Sequence, residues 1–365
     1  MNCQSSRYRL EIAEEQDSSK LLDILESSSF KGAMELMYTR RPNAYESLQR
    51  EGEKVIVIKT IDNKTNKICA MATCAVRTLF INGKTVKAGY LLTLKALPQY
   101  IGKINILPMG YKIIHEHLQL KYYYTTILSE NTYAIKLLEK QRKNMPYYHY
   151  SGEYTVSIIK TNLPRIVSCE FTLEQGKDSF KQEIFQFINS CQNNLQLGVY
   201  LDEEILNSYI NIDISNFFIV RDKLMQIRGI CAAWDQRDYK QYIATAYNGI
   251  LKYLPKYSKI CNFFGYPKLP MVNDTVNFYT LSLLSIKDDN FDVFNFLLSE
   301  VSRIKNSYDF FIVGFHESQK LQKSLKHLKK VEYKSRLYFV DYEKNSRYEG
   351  HFEKKYPVSM ECALL

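Results

Sequence analysis

Hydrophobic and polar positions along this chain switch between two periods. Residues 8–13 alternate as a strand does, with successive side chains on opposite faces. From 17 to 28 the spacing becomes helical: Leu21, Leu22, Ile24 and Leu25 fall on one side, and Asp17 stands at the N-cap position. Residues 42–50 read as a second short helix with Pro42 in its first turn. Strands follow at 55–60, 68–81 and 86–97. The polar turn 62–67 joins the first two, and Asn82-Gly83, a two-residue hairpin signal, joins the last two. The loop 98–103 leads to a helix over 105–120, a strand at 122–128, a helix over 131–143 and two strands within 147–160, around Ser151-Gly152.

The segment 161–165, with Pro164, reads as a linker, and the same plan then returns. A strand at 166–173 precedes helices at 177–190 and 203–210, and the hairpin 217–220 with 224–234 follows. A Pro- and Tyr-rich insertion, 239–275, is expected to hold one helix. Strand 276–286, helix 291–305, strand 309–316, helix 319–330 and strand 331–341 complete the second half. The expected division is a domain at 1–162, a second at 163–345 carrying the insertion, and a polar tail at 346–365. Short-period repeats are not found.

Composition narrows the class. With 45% hydrophobic and 24% charged residues the chain can bury a core and is not of disordered type. No apolar run approaches the roughly 20 residues that span a bilayer, and the polar, mixed-charge first twenty residues do not read as a signal peptide. The expected location is cytoplasmic. The net charge of +10 is spread as isolated Lys and Arg. That pattern fits a solvated basic surface, and no nucleic-acid motif accompanies it. The eight cysteines form no CxxC pair, so reduced thiols and no metal site are expected.

Two segments carry chemistry. In Thr125-Thr126-Ile127-Leu128-Ser129-Glu130-Asn131-Thr132-Tyr133-Ala134, a strand runs into Asn-x-x-Ala at the start of a helix. In Leu94-Lys95-Ala96-Leu97-Pro98-Gln99-Tyr100-Ile101-Gly102-Lys103, a strand runs into a turn with Gly and Lys before another helix. Such a turn presents free backbone N–H groups and the positive end of a helix dipole, which suits a pyrophosphate. Together these segments resemble the GNAT (GCN5-related) N-acyltransferases, and the order of elements is similar to that fold twice over. The resemblance implies an α/β (α+β) protein of two tandem GNAT-like domains, each a mixed, mostly antiparallel sheet flanked by helices, with a degenerate second domain. It implies acetyl-CoA or another acyl-CoA as substrate and an amine-bearing acceptor, a small molecule or a protein. The pantetheine arm would lie along Leu94, Lys95 and Ala96 and near Asn131, which also suits an N-cap, with Gly102 and Lys103 at the pyrophosphate.

The sequence departs from the family where catalysis is concerned. Ile101, Ile104 and Ile106 stand where the phosphate loop usually has polar residues or glycine, and β-branched residues disfavour positive φ. The frequent acid and base positions hold Leu138 and Thr126, neither of which can do that work. Tyr133 and Glu130 are the nearby substitutes. His316, at the corresponding strand end of the second half, is a third catalytic candidate, while His115, His117 and Trp234 read as packing. Arg40, Arg41 and Tyr45 would roof the acceptor site, the two Arg suiting a carboxylate or phosphate. Asp288 and Asp289 stand where the second half would need a phosphate loop and would repel a pyrophosphate. The last residues, Cys362-Ala363-Leu364-Leu365, fit a C-a-a-X box, so Cys362 is a lipidation candidate and reversible membrane association in a eukaryotic cytosol is expected if it is used. The functions in play are an acyl-CoA-dependent N-acyltransferase, a transferase using aminoacyl-tRNA, and a non-catalytic binding protein on a decayed transferase fold.

Overall fold

The structure, a computed structural model, describes residues 3–4, 7–32, 34–140, 142–249, 252, 269–343 and 351–365. About half of the expected insertion, with the helix expected in it and Cys261, lies outside the described residues, as does the boundary at 345–346.

In chain order the elements are β1 (Cys3–Gln4), β2 (Tyr8–Ile12), α1 (Ser18–Glu26), β3 (Met34–Thr39), α2 (Ala44–Gln49), β4 (Lys54–Asp62), β5 (Lys67–Ile81), β6 (Lys84–Ala96), α3 (Leu107–Leu118), β7 (Tyr122–Leu128), α4 (Thr132–Glu139) and β8 (Tyr147–Lys160). The second half continues with β9 (Phe171–Gln175), α5 (Lys181–Gln192), β10 (Gly198–Val199), α6 (Glu203–Ser208), β11 (Phe217–Asp222), β12 (Ile227–Trp234), β13 (Gln241–Tyr247), β14 (Phe278–Ile286), α7 (Phe291–Ile304), β15 (Phe310–His316) and β16 (Lys330–Asp341).

Local chemistry explains most of these bounds. Asn82 and Gly83 have φ of 53° and 72°, the left-handed pair that a two-residue hairpin requires. Asn43 caps α2 by accepting from the Glu46 N–H at 3.0 Å. Asp17 precedes α1 as expected but does not cap it. Its carboxylate accepts instead from Lys59 Nζ at 2.7 Å and from the Glu14 N–H at 2.8 Å. The pair of strands expected within 147–160 is one strand, β8, kinked at Gly152 with φ of 101°. The helix expected over 319–330 is a 3-10 segment, Lys320–His327.

The mixed α/β fold class holds, but the halves share one sheet. Its order is β1-β2-β4-β5-β6-β7-β16-β8-β15-β14-β12-β11-β9, with β10 paired to β5. The last strand, β16, lies between β7 and β8, antiparallel to both: Tyr338 pairs with Thr125 on one side and Tyr150 on the other. β8 in turn pairs with β15 of the second half along its C-terminal part. A second, two-stranded sheet joins β3, a strand the periodicity did not show, to β13 from the expected insertion.

Among the described residues two pairs of strands run parallel, besides one isolated parallel bridge, and each pair covers three residue pairs before the strands part. β6 and β7 pair from Ala88↔Tyr122 to Tyr90↔Tyr124. β14 and β15 pair from Phe278↔Phe310 to Thr280↔Ile312. Just past each splay a β-bulge follows. Opposite β5 the register moves from Thr73↔Leu92 to Met71↔Lys95, and Thr93 has φ of 51°. Opposite β12 it moves from Ala232↔Ser282 to Ile230↔Ser285, and Leu283 has φ of 51°. Thr93 and Leu283 are therefore counterparts in an internal repeat of the plan.

Candidate functional site

The first V opens beyond Tyr90 and Tyr124. A polar bridge spans its base, where the Thr125 hydroxyl donates to the Leu91 carbonyl at 2.7 Å. Beside it the Tyr90 and Thr126 hydroxyls are 2.8 Å apart, and burial pushes the Tyr90 phenol up to about 12. Thr126, dismissed as a base, thus still takes part in a hydroxyl pair at the apex. Leu94, Lys95 and Ala96 continue β6 along the open edge, with Leu94 47% exposed. The Lys95 side chain turns away to α1 and donates to the carbonyls of Leu25 and Ser28, and burial lowers its ammonium to about 8.

β6 runs into a 3-10 turn, Pro98–Tyr100, and then α3. Between Pro98 and Leu118 only Gly102 has positive φ, at 77°. The isoleucines that stand in place of loop glycines therefore meet no left-handed requirement. Ile106 is 3% exposed and Ile104 packs beside it in the same apolar cluster, which anchors the loop. Gly102 and Tyr133 come together: a Cβ on Gly102 would be 3.6 Å from the Tyr133 hydroxyl oxygen. Tyr133 lies in the first turn of α4, whose cap is Asn131, accepting from the Ala134 N–H at 3.1 Å. Asn131, Glu130 and Lys103 are all exposed at this mouth. Leu138 is core, His115 stacks on Tyr342 at 4.6 Å, and the His117 ring meets the Ile113 carbonyl at 2.8 Å.

Four of the expected site groups are used elsewhere. Arg40 is fully buried and bonds the Ser47 carbonyl and hydroxyl at 3.1 and 3.0 Å and the Glu51 carboxylate. Arg41 is exposed but forks onto Glu26 at 2.6 and 2.9 Å, while Tyr45, itself in α2, packs against the apolar cluster that α2 shares with α1. The two Arg therefore point apart, each held by an internal carboxylate. His316 is 3% exposed; one ring nitrogen meets the Ser151 carbonyl at 2.7 Å and the other Ser318 Oγ at 2.8 Å. Burial lowers its basicity, and it acts as a strut behind the Gly152 kink, not as a group facing a cleft. Trp234 is core as expected, its indole N–H donating to the Ile210 carbonyl at 2.7 Å.

A buried charge cluster was not legible in the sequence, because its members are far apart there. Glu51 takes Arg40, Arg77 at 3.0 Å and Lys240 at 3.4 Å. Burial alone would raise the Glu51 carboxyl, but the three cations hold it at about 2. Burial lowers Lys240 to about 8 against the pull of Glu51. Lys240 also donates to the main-chain oxygens of Ala363 at 3.0 Å and Leu365 at 2.7 Å. The end of the sequence is thereby drawn inside: Ala363 and Leu364 are 1% and 2% exposed. The expected polar tail is corrected here, for residues 351–365 pack onto the sheet, and burial pushes the partly buried Cys362 thiol up to about 12. A small cavity between the halves is lined by Arg77, Tyr124, Leu197, Glu361, Leu364 and Leu365, among others. Among the described residues no group of His, Cys, Asp and Glu is arranged to hold a metal, and no helix is long and apolar enough to cross a membrane.

No protein-family model matches the chain. No curated protein matches it by sequence. Solved structures do match. N-myristoyltransferase of Saccharomyces cerevisiae with bound myristoyl-CoA superposes with a TM-score of 0.60 at 11% identity, over 93% of this chain and 83% of that one. A GCN5-related N-acetyltransferase from Sphaerobacter thermophilus gives 0.57 at 9% identity, over 93% and 97%. Another from Anabaena variabilis gives 0.52 at 11%, over 92% and 73%. With the two splayed parallel pairs and the bulge beside each, these likenesses show that the chain has the fold of the GCN5-related N-acyltransferases, in a two-half arrangement shared with N-myristoyltransferase.

Proposed function

We propose that the protein is an acyl-CoA-dependent N-acyltransferase, transferring the acyl group directly to an amine in a ternary complex at the first V. The observation that carries this reading is the end of β6–β7 pairing at Tyr90 and Tyr124 beside a bulge at Thr93. Past that point one edge of β6 has no neighbouring strand among the described residues, and the amides of a pantetheine arm can pair with it as an added strand does. Gly102, Lys103 and Tyr133 then surround the pyrophosphate, and Asn131 meets the arm from α4. The amine attacks the thioester carbonyl, the N–H at the Thr93 bulge donates to the oxygen that becomes the oxyanion, and collapse expels the CoA thiolate. The Tyr90–Thr126 hydroxyl pair is positioned to return a proton to that thiolate, while the proton lost by the amine leaves through water. Tyr133 belongs to the phosphate end in this reading, and Glu130 to the exposed rim.

One neighbour holds myristoyl-CoA, so both a short and a long acyl chain are tested. Acetyl-CoA and myristoyl-CoA are titrated calorimetrically into the full chain and into Asn131→Ser, which keeps a capping oxygen. Loss of the arm contact weakens binding about tenfold, the worth of one hydrogen bond. Equal affinities for wild type and variant would sink the assignment. The altered acid and base positions favour a second reading, a non-catalytic acyl-CoA binder, which predicts binding with no release of free CoA when a panel of primary amines is added. Lipidation at Cys362 would act on the chain before residues 358–365 are seated.

A further inference from the structure

The second V has the same backbone plan as the first, and something already fills it. Val358 bridges Gln196, and Ser359 N–H donates to the Gln196 carbonyl at 2.9 Å. Tyr154 OH, from β8, donates to the Met360 carbonyl at 3.1 Å. The next residue, Glu361, accepts from the Leu283 N–H at 2.7 Å with one carboxylate oxygen and from the Ala363 N–H at 3.0 Å with the other. Leu283 is the bulge residue of β14 and the counterpart of Thr93. The segment around Cys362–Leu364 packs against both β14 and β15, the two strands that form this V. Lys240 then clamps the carbonyls of Ala363 and Leu365 from the other side.

The far end of this cleft is closed as well. Asp288 and Asp289 take left-handed backbone, φ 58° and 50°, in the short link to α7. The Asn290 side chain already accepts from the Asp292 and Val293 N–H groups, at 2.9 and 3.1 Å. The α7 N-terminus therefore has its first donors satisfied and two acids beside it, opposite to what a pyrophosphate needs.

We propose that residues 358–365 are the resident occupant of the second cofactor cleft, with the Glu361 carboxylate on the N–H that a thioester carbonyl would take there, so that each chain accepts a single acyl-CoA. The same segment walls the cavity that reaches Arg77 and Tyr124 at the first V. The second half thereby supplies a fixed wall to the first site in place of a second site. This rests on reading the V as an acyl-CoA cleft, and the test separates the two.

Cys362 reports whether the segment is seated. The full chain is treated with iodoacetamide and the alkylation of each cysteine followed by peptide mass spectrometry, the exposed Cys169 serving as internal control. Cys362 is expected to react slowly in the wild type. Glu361→Gln keeps an acceptor oxygen and leaves the rate within about threefold, whereas Glu361→Leu removes the bond to Leu283 and raises it about tenfold. Saturating acetyl-CoA is expected to leave Cys362 protected, with a calorimetric stoichiometry of one. A stoichiometry of two, unmasking of Cys362 by acetyl-CoA, or a Glu361→Leu protein as protected as wild type would overturn the proposal. If Glu361→Leu does not fold, the wild-type stoichiometry and Cys362 protection still decide it. If acetyl-CoA does not bind at all, the transferase reading fails while the seating of the segment is still tested by the variants.

Discussion

Glu51 holds three cations in a dry environment, and removing it leaves Arg40, Arg77 and Lys240 facing one another. Glu51→Gln is expected to cost about 3–5 kcal/mol, read as a drop in the urea midpoint at pH 7. The pH dependence follows from the carboxyl held at about 2 against an ordinary 4.5. Its folded form binds fewer protons than the unfolded chain, so its contribution is full above pH 4.5 and is lost as pH falls toward 2. Glu361 has the opposite sign, since burial raises its carboxyl to about 7. Here the folded chain binds the extra proton, and stability falls as pH rises from 4.5 to 7. Urea midpoints across that window should slope less in Glu361→Gln than in wild type; identical slopes would mean the carboxyl titrates normally. At Gly152 an added Cβ would stand 2.4 Å from His316 Nε2, and φ is already 101°. Gly152→Ala should lose roughly 1–3 kcal/mol or more in the same assay.

At the scale of elements, β16 decides what can be cut. The fragment 1–162 ends just after β8, which in the whole chain is flanked by β16 and β15, while β7 is flanked by β6 and β16. Without β16 both strands offer long apolar edges to other chains. The fragment is therefore expected to aggregate and to show no cooperative thermal transition, whereas co-expression with 163–365 should restore a soluble complex. A monomeric, cooperatively folding 1–162 would show that the shared strand is dispensable. β3 and β13 add a second tie, since their pairing spans about half the chain and clamps α1 and α2 over β4 and β5.

For the whole molecule, ligand binding and folding are linked. Acyl-CoA held at 100 times its dissociation constant should add about 2.7 kcal/mol of stability. In a chain of this size that is a rise of several degrees in the melting midpoint. Gly102→Val, which forces a β-branched residue to φ near 77°, should lower the unliganded midpoint through backbone strain and, measured from that lower midpoint, should also lose most of the rise, because the glycine lies at the cofactor mouth beside the Tyr133 hydroxyl. An equal rise in wild type and Gly102→Val would place the cofactor elsewhere.

Local signals were legible wherever a few adjacent residues decide the backbone. The Asn82-Gly83 hairpin, the Asn131 and Asn43 caps and the alternation of β4 to β7 all depend on contacts within a turn or two. The strand–turn–helix pieces that carry the family likeness are equally local, and they lie at the first V. Distant pairings were not legible. That β16 would enter the sheet between β7 and β8, that β3 had a partner some 200 residues on, and that Arg40 would turn inward to Glu51 depend on which surfaces meet once the chain collapses. The end of the chain shows the difference most directly. Read alone, Cys362-Ala363-Leu364-Leu365 is an apolar box on a polar tail. In the fold its leucine and alanine escape water between the halves, and the Glu361 carboxylate finds the one backbone N–H that the Leu283 bulge turns toward it.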